Sequence, residues 1–118
     1  PSTNTPLAAL VLMNDPTFVE ASRKLAERVL REAQSNVTRV ELLHRLICGR
    51  QPTPEEQRLL LGTLDDLLAD FRAEPAGAAE LMTVGESAYD KSLDLTELAA
   101  FASLANAVFC TDEAITRN

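Results

Sequence analysis

Apolar positions recur along the chain with helical spacing, and short polar breaks carrying proline or acid separate the runs. Phe18, Ser22, Leu25 and Val29 form one row, with Val19, Ala26, Leu30 and Ala33 beside it. Spacings of three and four put both rows on one side of a helix over about Pro16 to Gln34. Arg23, Lys24, Glu27, Arg28 and Arg31 fall mainly opposite, so this helix reads as amphipathic with one buried stripe. Val40, Leu43 and Ile47, with Leu46 alongside, line the inner face of a helix ending at Cys48. Leu60, Leu64, Leu67, Leu68 and Phe71 repeat the pattern from Pro54 to about Ala73, and a short helix follows over about Pro75 to Val84. Leu98, Phe101, Ala102, Ala105 and Val108 face inward on a last helix from Leu95 to about Phe109, with Thr111 placed to cap a final turn. Near the start, Leu7, Leu10 and Val11 share a face over about Thr5 to Met13. No segment makes a convincing strand. The expected fold is all-α: a compact irregular bundle of five to seven helices, one helical domain over residues 1–118.

The breaks explain where the helices stop. In Asn14-Asp15-Pro16, Asp15 suits the N-cap because its carboxylate accepts orphan amide protons. Pro16 then takes the first helical position, where its missing N–H costs nothing, and Asn14 closes the preceding helix. Ser35 or Asn36 caps the next helix, and Gly49 stands where a left-handed C′ glycine belongs. Thr53 and Glu56 have the spacing of a capping box around Pro54, and Asp94 and Glu97 repeat it before the last helix. Gly62, inside a helix, costs roughly 1 kcal/mol relative to Ala and hints at close approach by another helix. The longest loop is ESAYDKSLDL, and no fixed-period repeat is present.

Composition narrows the class. The chain has 118 residues, 46% hydrophobic but only 4% aromatic, so its core is aliphatic. Eleven Lys and Arg against 18 Asp and Glu leave a net charge of −7, which repels phosphate backbones and anionic membranes. No nucleic-acid partner is expected, and no apolar run is long enough for a membrane span. Cys48 and Cys110 fit no metal or redox spacing; their apolar contexts suggest buried thiols, bonded only if their helices meet. A start at Pro1 in a Ser/Thr/Asn stretch, with no signal peptide, reads as a C-terminal fragment cut from a larger multidomain protein. The partner expected first is therefore the missing N-terminal part of its own chain, and then another protein.

Candidate chemistry is sparse. His44 is the only histidine, so a multi-histidine metal site is excluded and any triad must use it. Lying mid-helix between Leu43 and Arg45, it reads as a boundary residue of a packed helix; the sharper reading is a general base in a hydrolytic cleft shared with carboxylates. Glu55-Glu56 and Asp65-Asp66 read as caps or solvated faces, since acid–base pairs must converge to about 5 to 9.5 Å. Ser92 in DKSLDL is similar to the phosphopantetheine serine of acyl carrier proteins, although Lys91 interrupts the motif. Arg50 is placed to bond exposed helix carbonyls or a carboxylate, and Asn106 to bridge helices as a buried amide. No catalytic, cofactor-binding or metal-ligating residue is assigned. The structural caps are Asp15, Pro16, Gly49, Thr53, Glu56, Asp94 and Glu97.

Three stretches in order, NTPLAALVLMNDPTFVEASRKLAERVL, RLICGRQPTPEEQRLL and VGESAYDKSLDLTELAAFASLANAVFCTDEAITR, carry a resemblance. Together they resemble the C-terminal part of a planctomycete-rich, cytochrome-associated family, domain of unknown function 1553. Ala8 stands where that family usually has Gln, and Phe101 where it commonly has Trp. The resemblance implies a long, exported protein, periplasmic or at the cell surface, often with a c-type haem domain upstream. This chain lacks Cys-x-x-Cys-His, so no haem cofactor is expected in it. A non-catalytic packing or interaction role leads, and an exposed apolar patch is its expected mark.

Overall fold

The computed structural model describes the backbone over residues 16–83 and 88–117, and side chains over 19–83 and 88–111. The helix expected over Thr5 to Met13, the Asp15 cap, Val84 and Gly85 lie outside the described residues. Within them are five helices and no strand: α1 Pro16–Glu32, α2 Asn36–Cys48, α3 Pro54–Ala73, α4 Pro75–Met82 and α5 Leu95–Arg117. The fold is all-α. No described helix is long and apolar enough to cross a membrane.

Local hydrogen bonds set these boundaries. Pro16 opens α1. Before α2, Ser35 Oγ accepts from the Thr38 N–H at 3.2 Å and Thr38 Oγ1 accepts from the Ser35 N–H at 3.3 Å. Gly49 ends α2 at φ 80°, its N–H donating to Arg45 O, in a conformation open to glycine at little cost. Thr53 and Glu56 exchange the two bonds of a capping box, at 3.1 and 2.9 Å. Pro75, two residues past the end of α3 at Ala73, prevents its continuation because it cannot donate to the preceding turn. Asp94 Oδ2 accepts from the Glu97 N–H at 2.9 Å where α5 begins.

Helix α5 is the axis of the core. Every residue from Leu98 to Asn106 is at most 2% exposed, so the helix is buried all round rather than on one stripe. It packs against α1, α2, α3 and α4, and its alanines let these helices approach closely. Ala26 and Val29 of α1, Val40 and Leu43 of α2, and Leu64, Leu67 and Phe71 of α3 meet it in one aliphatic cluster.

Five expectations need correction. Arg23 and Glu27, placed on the solvent side of α1, are 0% and 3% exposed. Segments distant in sequence cover that side of the helix, including the chain at Met82 and Asp90. Helix α4 ends at Met82, not Val84; Thr83 Oγ1 donates to Glu80 O at 2.8 Å and closes the last turn. Helix α5 does not break at Phe109 but runs on to Arg117. Thr111 caps nothing, since its hydroxyl donates back to Ala107 O at 3.0 Å within the same helix. Cys48 and Cys110 are half-buried rather than buried, and neither is in a disulfide.

Candidate functional site

Two polar centres stand out, and they differ in how the chain builds them. The first is a groove of about 330 Å³ where the end of α2, the start of α3 and the later part of α5 meet. His44, Cys48, Arg50 and Glu56 supply its polar lining; Leu59, Leu60, Leu104, Ala107 and Val108 supply apolar walls, completed by Thr63 and Thr111. The volume lies near the lower end of the range for small-molecule sites.

His44 is 5% exposed, so it is buried rather than at the boundary of α2. Its Nδ1 lies 2.9 Å from the Arg50 carbonyl, and a carbonyl can only accept. Nδ1 therefore carries the proton, and in the neutral ring Nε2 presents its lone pair 3.8 Å from Glu56 Oε1. Glu56 is already engaged. Arg50 Nη1 and Nη2 each donate to it at 2.8 Å in a bidentate fork, and the Thr53 N–H adds a third bond. The Arg50 fork first, and then the Thr53 N–H, pull the Glu56 pKa from 4.5 to about 2. Arg50 thus takes the carboxylate of its two expected roles. A carboxylate this acidic is a poor proton acceptor at neutral pH, where a useful general base has a pKa near the working pH. His44 Nε2 thus faces a carboxylate already held by Arg50 and Thr53.

The second centre lies on α1. Arg23 Nη1 donates to Met82 O at 2.9 Å, and Glu27 Oε2 accepts from the Asp90 N–H at 2.8 Å. Arg31 Nη2 lies 2.6 Å from Asp90 Oδ2. Asp90 Oδ1 also accepts from the Ser92 hydroxyl at 2.6 Å and the Ser92 N–H at 2.9 Å. The Ser92 hydroxyl and then Arg31 hold the Asp90 carboxyl well below the usual carboxylate range. This clamp fastens the loop before α5 to α1. Ser92, the carrier-like serine, is exposed, but its hydroxyl is committed to Asp90.

The remaining candidates do not converge. Glu55, Asp65 and Asp66 lie with Arg58 around a shallow depression on the outer side of α3, which His44 does not line. Asn106 does bridge helices, its Nδ2 lying 3.5 Å from Ser22 Oγ on α1, but Asn106 Oδ1 and Ser103 Oγ have no partner among the described residues. No three His, Cys, Asp or Glu side chains among the described residues could hold a metal ion together. Sequence reasoning missed the α5 wall of the groove and the α1 clamp, because both depend on which distant segments meet.

The family model of PSD1, a protein of unknown function (DUF1553), matches residues 1–64. The chain belongs to this family. The PSD1 match takes in His44, Cys48, Arg50, Glu56, Leu59 and Thr63, whereas the α5 wall of the groove lies beyond it. No curated protein and no solved structure matches the chain.

Proposed function

We propose that this chain is a non-catalytic helical module of a larger exported, cytochrome-associated PSD1 protein, and that it packs against the rest of its own chain or another protein. The observation that carries this reading is the state of Glu56. The carboxylate beside the only histidine is tied to Arg50 and Thr53 and held at a pKa of about 2. The polar end of the groove therefore braces the α2–α3 turn, and its apolar walls are left for binding. The expected large apolar patch is not what supports the reading, since among described residues Val37 and Leu59 are the only exposed large hydrophobics. A c-type haem, where the full protein has one, belongs to an upstream domain, because this chain has no Cys-x-x-Cys-His.

Cross-linking mass spectrometry on the protein as its host makes it tests the reading. Links from this module to upstream chain or to a second polypeptide support it; a module linked only to itself contradicts it.

A hydrolytic reading keeps one specific support, the groove that unites His44 with Glu56. It predicts turnover of a panel of simple esters that His44→Ala abolishes. The carrier reading has less, given the Ser92–Asp90 bond, and ends if a phosphopantetheinyl transferase leaves no adduct on Ser92.

A further inference from the structure

Nothing among the described residues requires glycine at position 62. Gly62 lies inside α3, where glycine is about 1 kcal/mol worse than Ala. It is exposed, and a Cβ built there meets nothing within 4 Å. The close approach that its position suggested is not made by any helix among the described residues. Leu59, one turn earlier, is 66% exposed, the most exposed large hydrophobic among the described residues. Glu55, Leu59, Gly62 and Asp66 recur at helical spacing and share the outward face of α3. On one side of this face is the groove, with Leu59 and Thr63 in its wall. Leu59 and Gly62 also line the depression that holds Glu55, Asp65 and Asp66 with the single cation Arg58.

We infer that the outward face of α3 is a docking surface for a basic amphipathic helix. This rests on the interaction reading above and names the partner class for it. Glycine at position 62 lets a second helix backbone come close. An apolar side chain of that helix enters the groove past Leu59, and its lysines or arginines lie over Glu55, Asp65 and Asp66. A second copy of this chain fits badly, because it would bring the same three carboxylates against themselves in a protein of net charge −7.

The test is a titration of the isotope-labelled full chain with an amphipathic leucine–lysine helix of about 15 residues, followed by amide chemical shifts. The expected result is saturable shifts confined to residues 55–66 and 104–111, absent with the leucine–glutamate counterpart. Gly62→Leu and Leu59→Lys weaken binding about tenfold or more, whereas Val37→Lys, on the other exposed hydrophobic, changes it little. Gly62→Ala separates the docking role from the fold: it raises the thermal midpoint by a few degrees and weakens binding. Shifts spread over the acidic surface at large, equal binding of the glutamate peptide, or tighter binding by Gly62→Ala would each overturn the inference. So would a dimer of the chain that Gly62→Leu abolishes, which assigns the face to a second copy. Cross-links from the native module through a different face overturn the α3 assignment and leave the interaction reading standing.

Discussion

The two polar centres use the same chemistry at different ranges. In the α2–α3 turn, Arg50, Thr53 and Glu56 lie within six residues of one another and brace a helix start. On α1, the bonds from Arg23 to Met82 and from Glu27 to Asp90 join residues 59 and 63 apart. This Arg50–Thr53–Glu56 bracing is exposed and local, so it stabilises a single turn. The second centre includes two buried charged residues, and it fastens to α1 a loop whose Tyr89 and Leu93 also pack against the core. Buried charge is costly unless paired and hydrogen-bonded, so breaking the second centre should hurt far more than breaking the first.

Four substitutions and one titration test that difference, in order of expected size. Arg23→Ala removes a fully buried guanidinium and strands the Met82 carbonyl; a loss of about 3 kcal/mol is expected in denaturant unfolding. Glu27→Ala removes the acceptor of the Asp90 N–H and should cost about 2 kcal/mol by the same assay. Thr53→Ala, in the local centre, removes only a cap and should cost about 1 kcal/mol. A loss from Thr53→Ala equal to that from Arg23→Ala breaks the comparison. Gly62→Ala should move the other way, stabilising the chain by up to about 1 kcal/mol, because the added methyl meets nothing.

The acid titration involves both centres. Glu56 and Asp90 have folded pKa values below their unfolded ones of 4.5 and 3.8. Each therefore contributes stability that is full above its unfolded value and is lost as pH falls toward the folded one. Thermal midpoints should hold steady at pH 5 and above as far as these two groups are concerned, and decline from about pH 4.5 toward pH 2. Glu56→Gln should flatten part of that decline.

The contrast also marks what could be read without coordinates. Gly49, Thr53–Glu56 and the Asp94 cap were legible because a cap needs only residues within one turn. The inward rows of α2 and α3 were legible for the same reason, since periodicity is local. A charged row opposite an apolar stripe normally faces water, and nothing in residues 16–34 shows that the chain near Met82 and Asp90 meets Arg23 and Glu27. His44 is a similar case: its burial depends on the turn that brings the Arg50 carbonyl to its ring. The continuation of α5 through Thr111 was missed because a threonine hydroxyl serves equally as a cap or as a bond back to the helix, and only the backbone decides. As for the groove, half of it was in view: His44, Arg50 and Glu56 were singled out separately, while Leu104, Ala107 and Val108 read only as parts of a last helix.

The central claim is that charged side chains here fasten segments distant in sequence, and the Glu27–Asp90 bond is its most direct case. Native-state hydrogen exchange at the Asp90 amide, compared between the natural chain and Glu27→Ala, tests it. The account predicts a slow amide in the natural chain that becomes fast in the variant, with residues 88–94 loosening while Leu98 to Asn106 stay protected. An Asp90 amide that exchanges equally fast in both proteins contradicts it.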